Sequence, residues 1–323
     1  QCKLKKFIRC ARVYSVVVEF NLLLLLNHFY IKYNGKIMLR KSLVTLALLL
    51  GVSAVASVAA QDMADANITV QPAAGDVYML QGPGGNIGVL ATEKGLLLVD
   101  DKFASLAEKI EFAMKGIEDN ELKYVINTHY HGDHTGSNQF FAHKAPIFAH
   151  ENVRNRLSSK AGLSAESLPV VTYKDGITIY LDNEEVQLTH LPAGHTDGDT
   201  YVYFKNANVL HTGDLFFEVG FPYVDLKSGG SIKGYLASVR HMIANTPDDV
   251  VIIPGHGKLT NKKRLVAFAE MMAYSIDKVS KALAAGKSEA DIVAQGIGEK
   301  YQHLSWSFIT EEKWLKTLIA DLK

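Results

Sequence analysis

The chain has 323 residues, 34 Lys and Arg against 34 Asp and Glu, 48% apolar residues, 21% charged residues and two cysteines. Such a composition excludes disordered, collagenous and coiled-coil classes. A formal charge of zero also argues against a nucleic-acid or anionic-membrane binder, provided that the whole chain belongs to one folded object.

The first sixty residues break that proviso. Residues 1–37 open with Gln1 and run from a basic stretch into an apolar one that resembles nothing downstream. They read as translated upstream sequence or a misassigned start, outside the fold. A competing reading makes residues 16–31 a membrane anchor. That run contains Glu19, Asn21, Asn27 and His28, and it falls short of the about 20 mostly apolar residues that a span requires. From Met38 the pattern changes: Arg40 and Lys41 precede an apolar run over 43–58, and Ser57, Ala59 and Ala60 supply small residues before Gln61. This is the layout of a secretory signal peptide over 38–60. It predicts a periplasmic or secreted protein with no stable membrane anchor after cleavage. Removing residues 1–60 takes away nine basic residues, one acidic residue and both cysteines, leaving 25 basic against 33 acidic residues and a formal charge of −8. An exported domain of this kind has no disulfide and no thiol for catalysis or metal binding. Its acidity turns it further from nucleic acid.

Residues 61–323 hold no long linker, low-complexity run or internal repeat and read as one domain. Segments 77–80, 87–92 and 96–99 are short β-rich runs separated by glycine-containing or charged turns, a β-meander pattern. Residues 103–117 follow with Phe103, Leu106, Ile110, Met114 and Ile117 at helical spacing. A buried strand over 124–126 runs straight into Asn127, Thr128 and His129. Strand patterns dominate again over 177–210, and helices are predicted over 232–244, 262–285 and 311–322. This order fits a layered α/β sandwich with both sheet faces covered.

Four short segments carry the chemistry, each placed where a strand pattern stops. The first runs from Thr128 to Asn138 and holds His129, His131, Asp133 and His134, three imidazoles and a carboxylate within six residues. That is a dense ligand set for a borderline cation such as zinc, and Gly132 permits the backbone turn that lets the side chains converge. The others place His195 beside Gly194, Asp214 beside Gly213, and His256 between Gly255 and Gly257. Strand ends along one edge of a sheet are where open α/β folds gather their sites.

The run His129-Tyr130-His131-Gly132-Asp133-His134, followed by His195, Asp214 and His256 in that order, resembles the metallo-β-lactamase-fold superfamily of hydrolases over roughly residues 77–268. The resemblance implies a four-layer αββα sandwich with a two-metal site between the sheets and about two zinc ions per chain. It implies that His129, His131 and His195 hold one metal, that Asp133, His134 and His256 hold the other, and that Asp214 bridges them. Cysteine-type metallo-β-lactamases have Cys at the Asp214 position and another subclass has Ser. Aspartate is the form of glyoxalase-II-like thioesterases and acyl-homoserine lactonases. Two cations about 3.5–4 Å apart lower the pKa of a shared water toward neutrality, so a metal-bridging hydroxide can attack a carbonyl with Asp133 aiming it. Acceptors must orient each ligand imidazole, and Asp76, Asp100, Asp101, Asp197 and Asp199 are candidates. Asp100 and Asp101 are equally placed to cap the helix that follows.

Departures from the family bear on substrate. Cysteine-type β-lactamases carry a lysine three residues after the bridging position, and acyl-homoserine lactonases a tyrosine; this chain has Phe217. No Lys or Arg stands between Lys205 and Lys227, and no basic cluster matches the glutathione-recognition segment of glyoxalase II. Phe216, Phe217 and Phe221 suggest an aromatic wall for an apolar or neutral substrate, or are simply core. The expectation is an exported, β-lactamase-like dizinc hydrolase of a small-molecule β-lactam, lactone, ester or thioester, the signal peptide and the stretch from His195 to Asp214 favouring a β-lactam and Asp214 and Phe217 opposing it. The alternative is an oxidoreductase like the persulfide dioxygenases of the same fold, with one iron on His129, His195 and Asp214. A non-catalytic binding protein is disfavoured because all seven ligand positions are intact.

Overall fold

Runs of leucine and β-branched residues broken by glycine turns build two sheets. The computed structural model describes residues 66–323, so the upstream-sequence, anchor and signal-peptide expectations lie outside the described residues. The chain divides at residue 60, and 61–323 make one compact unit.

The first sheet holds β1 (Thr69–Ala74), β2 (Val77–Gln81), β3 (Ile87–Thr92), β4 (Gly95–Val99), β5 (Leu122–Asn127), β6 (Ile147–His150) and β7 (Val171–Tyr173), in that spatial order. Pairs from β1 to β4 are antiparallel and those from β4 to β7 parallel. Strands β3 and β4 are buried along their whole length, as strands covered on both faces must be. The second sheet holds β8 (Gly176–Leu181), β9 (Glu184–His190), β10 (Thr200–Phe204), β11 (Val209–His211), β12 (Val251–Ile253) and β13 (Thr260–Asn261), with only β11 and β12 parallel.

Side-chain alternation along the strands separates the layers. Val99 and Ile126 from the first sheet meet Val209 and Ile253 from the second in one buried cluster between the sheets. Leu98 and Val125 point the other way, onto Ile110 and Met114 of α1 (Ala107–Ile117). Leu210 and Ile252 likewise face α5 (Ile232–Ala244), α6 (Lys262–Ala284) and α8 (Glu311–Leu322). The result is the expected αββα sandwich. Shorter helices α2 (Gly132–Thr135), α3 (Asn138–Phe141), α4 (Glu151–Ser158) and α7 (Glu289–Gln295) complete the described residues. None of the helices among them is long and apolar enough to cross a membrane.

Helices α5 and α8 have the bounds their apolar spacing predicts, and Ser231 and Thr310 cap them through side-chain oxygens. The expected helix over 103–117 instead opens with a 3-10 turn over Ala104–Leu106, and no side chain caps that turn. The capping role read for Asp100 and Asp101 is therefore corrected: both carboxylates turn inward, to Thr128, His134 and Ser137. Strand β1 and the capping box of α7, formed by Ser288 and Asp291, were not among the expected elements.

Trp314 fastens the C-terminal helix to the core. It is fully buried, stacks on Phe221 at 5.8 Å and donates its indole N–H to Ser275 Oγ at 3.2 Å. Trp314→Ala leaves a cavity and an orphaned hydroxyl, and should lower the unfolding free energy in urea by about 3–5 kcal/mol.

Candidate metal centre

Four strand ends open onto one edge of the sandwich: β4 ends at Val99 before Asp100, β5 at Asn127 before His129, β11 at His211 before Asp214, and β12 at Ile253 before His256. His195 comes from the loop between β9 and β10. After β5 the backbone bends over residues 128–130, is extended again at His131 (φ −66, ψ 151) and then turns into α2, which carries Asp133 and His134. This change from strand to helical turn sends the four side chains of one short motif to two different places.

His129, His131, His195 and Asp214 form one group, and Asp133, His134 and His256 a second. In the first, His131 Nδ1 lies 3.0 Å from His129 Nε2 and 2.8 Å from His195 Nε2. Asp214 Oδ2 stands 3.7 and 3.4 Å from the same two Nε2 atoms. In the second, Asp214 offers its other oxygen: Oδ1 is 3.1 Å from His134 Nε2 and 3.3 Å from His256 Nε2. Asp133 Oδ2 lies 3.7 and 3.4 Å from those nitrogens. Ligand atoms around a tetrahedral zinc with bonds of about 2.0–2.1 Å stand about 3.4 Å apart, so both groups have the spacing of a coordination shell.

Hydrogen bonding tests the same point independently. His134 Nε2 and Asp214 Oδ1 are buried with no hydrogen-bond partner although they face each other. His134 Nδ1 is 2.7 Å from Asp100 Oδ2, and with the ring proton there, Nε2 presents a lone pair to a carboxylate lone pair. A cation between them removes that conflict. The backbone is cut back around the same atoms: a Cβ at Gly85 would lie 2.2 Å from the His134 ring, and one at Gly255 2.2 Å from Asp214 Oδ1.

Charge follows this geometry. Burial pushes His195 down to about 4 and holds His129 well below its usual value, so both are neutral donors. Burial opposes ionisation of Asp214, but His256, His134 and His129 outweigh it and hold the carboxyl well below the usual range. The second group behaves oppositely. Despite burial, the carboxylates of Asp214, Asp133 and Asp100 raise His134, and His256 is pushed up to about 9, chiefly by Asp214 and Asp133. This half of the site draws a positive charge, and without a metal it takes a proton.

Of the five candidate orienting aspartates, Asp100 alone binds a ligand ring. It lies at φ 64 and also accepts from Thr128 N at 2.7 Å and Thr128 Oγ1 at 2.8 Å. Asp101 accepts from Ser137 N, Asp197 pairs with Arg156, and Asp199 accepts from Thr196 N just after His195. Asp76 sits in the β1–β2 turn, where its carbonyl accepts from Ala91 N. His195 Nδ1 uses the Tyr223 carbonyl at 2.8 Å.

Two residues were missed. Asp225 Oδ2 holds His131 Nε2 at 3.1 Å and accepts from Tyr130 Oη at 2.7 Å. Fully buried Lys102 donates its ammonium to the Gly82 and Gly85 carbonyls, drawing the glycine loop over His134; burial lowers it to about 8 against Asp133 and Asp100. Its sequence signal was a charged triplet, Asp100-Asp101-Lys102, at the end of an apolar strand. Of the two readings of the aromatic run 216–221, a substrate wall or core, the structure bears out core. Phe216, Phe217 and Phe221 are buried core residues, and Phe217 meets the site from beneath, stacking on His256 at 4.9 Å and standing 5.9 Å from the His195 ring.

Comparison with known proteins agrees with this architecture. The sequence profile of the metallo-beta-lactamase superfamily matches residues 80–256. A hydroxyacylglutathione hydrolase of Polaromonas sp. strain JS666 is 29% identical over 153 residues, 46% of this chain and 54% of the relative. A metallo-beta-lactamase type 2 of Bacillus sp. strain 170 is 24% identical over 187 residues, 57% of this chain and 71% of the relative. The solved metallo-beta-lactamase from Pontibacter korlensis has the same fold, with a TM-score of 0.58 at 16% identity over 64% of this chain and 99% of its own.

Residues that hold a ligand ring through its far nitrogen set metal affinity without touching the ion. Asp100→Ala and Asp225→Ala should each weaken binding of a divalent cation by about 10–100-fold in competition titrations with a chelating dye. His134 and His256 carry protons in the metal-free chain and must lose them to bind a cation. Affinity should therefore rise with pH up to about 9, and calorimetry in buffers of different ionisation enthalpy should register proton release.

Proposed function

The chain belongs to the metallo-beta-lactamase superfamily, and we propose that it is an exported dizinc hydrolase that cleaves a carboxylic thioester or ester by attack of water on the carbonyl carbon. One observation carries the reading: the two oxygens of Asp214 divide between two complete donor groups, Oδ2 toward His129 and His195, Oδ1 toward His134 and His256. A neutral imidazole set beside a carboxylate-rich one suits zinc in both halves.

Two divalent cations bound there would supply a water acidified toward neutrality and electrophilic help for the carbonyl oxygen. The chain's own groups do the rest. Against its burial, Asp133 is held down to about 2 in the metal-free chain by His134 and His256; with cations in place its carboxylate would accept a hydrogen bond from the attacking water and aim it. The side chains of Asp133, His131 and His256 keep about a fifth of their surface exposed, whereas His129, His134, His195 and Asp214 are at 5% or below. The carbonyl thus approaches over Asp133, His131 and His256. Asp225 and Asp100 keep the rings of His131 and His134 from turning as charge develops.

Aspartate at the shared position and relatives named as hydroxyacylglutathione hydrolases support a thioester or ester, and a relative named as a metallo-beta-lactamase keeps a β-lactam in the test panel. The completeness of the second donor group favours two metals over the single iron of the dioxygenase reading. The signal-peptide pattern over 38–60 supports export to the periplasm or beyond.

Metal analysis of the purified mature protein should return about two zinc per chain, and a single iron with oxygen consumption would overturn the reading. Lactoylglutathione or p-nitrophenyl acetate should be hydrolysed in preference to nitrocefin and a γ-lactone. Asp214→Ala should lose two-metal loading and at least about 100-fold in turnover. N-terminal peptides of the secreted form should begin near Gln61.

A further inference from the structure

We propose that the segment before α8, with Tyr223, forms an aromatic wall at the mouth of the metal centre and selects substrates whose acyl group carries an aryl ring; this rests on the hydrolase reading. The rings form an unbroken arc from one donor group to the other. Tyr223 lies 5.8 Å from His131, Phe308 lies 5.6 Å from Tyr223, Trp306 lies 5.7 Å from Phe308, and Phe217 lies 6.3 Å from Trp306 and stacks on His256. The arc starts and ends on His131 and His256, two of the three donors that keep solvent access.

The segment is fastened in this position. Trp306 donates its indole N–H to the Phe221 carbonyl at 2.9 Å, its backbone N–H goes to Ile309, and Phe221 N–H reaches the Leu304 carbonyl at 3.0 Å. Gly220 permits the contact, since a Cβ there would stand 2.2 Å from the Leu304 carbonyl oxygen. Phe308 nonetheless leaves 51% of its surface exposed, while Lys313 donates to its carbonyl at 3.0 Å and sets its ammonium 4.2 Å from its ring centre. A large ring anchored at its base, half exposed and one ring removed from His131 through Tyr223, is an unfilled half of an aromatic pair. Aryl groups fill such places edge-to-face or offset-stacked.

The test compares S-phenylacetyl- and S-acetyl-N-acetylcysteamine. The wild type should prefer the phenylacetyl thioester, and Phe308→Ala should raise its KM about 3- to 10-fold with kcat unchanged and leave the acetyl thioester as it was. An equal effect on both substrates, or none, overturns the wall and leaves the hydrolase reading standing. A second readout needs no turnover. Trp306 is one of two tryptophans, and the other, Trp314, is fully buried, so acrylamide quenching reports on Trp306. Phenylacetate should protect it and acetate should not, with the protection lost in Phe308→Ala. Protection without hydrolysis of either thioester supports the wall and counts against thioester hydrolysis; no protection overturns the wall.

Discussion

The Asp100 carboxylate is the joint on which the two halves of the site depend. It accepts from the backbone and hydroxyl of Thr128, which fixes the end of β5 just before His129, and from His134, which belongs to the other donor group. To reach both, its backbone adopts a left-handed conformation that non-glycine residues rarely take, and Lys102, two residues on, does the same to reach the glycine loop. Three consecutive charged residues at the end of an apolar strand are thus fully buried. Burial on this scale costs several kcal/mol per ion unless each charge is met by directed partners. For Asp100 and Lys102 the partners are the pieces that must be held still; Asp101 accepts only from Ser137 N, and burial raises its carboxyl well above the usual range.

Much of the fold was legible from the sequence because its elements follow simple periods. Helices 232–244 and 311–322 have one apolar face each, and strands 87–92 and 96–99 are apolar throughout because helices and a second sheet cover both faces. The seven donor positions were legible because four of them crowd into residues 129–134 just after an apolar strand, and His195, Asp214 and His256 each sit beside glycine near the end of an apolar run. The orienting groups were not. Asp225 lies 94 residues from His131 in a loop whose composition marks a turn, and nothing local says which ring it meets. Asp197 and Asp199 closely follow His195 in sequence and serve Arg156 and Thr196 instead. The aromatic residues divided in the same way: Phe216 and Phe221 face helices, and only the folded chain brings Trp306 and Phe308 to the site from the far end.

The electrostatics explain why glycines crowd the centre. Two carboxylates and five imidazoles share a small, mostly buried space, so the donor atoms need the backbone close around them to limit their motion. Gly85 lies on the His134 ring and Gly255 on Asp214. A single methyl group at either place would displace a donor, so these positions tolerate less change than the hydrophobic core, where neighbours can repack.

The region shared with the superfamily spans residues 80–256 and contains every donor of the metal centre, whereas Trp306 and Phe308 stand about fifty residues beyond it. The proposed wall is therefore assembled from both stretches of the chain, Tyr223 and Phe217 from the shared region and Trp306 and Phe308 from the terminal one, joined through the Gly220–Leu304 contact. A lineage could exchange the terminal stretch and acquire a new diet while its reaction machinery stayed untouched.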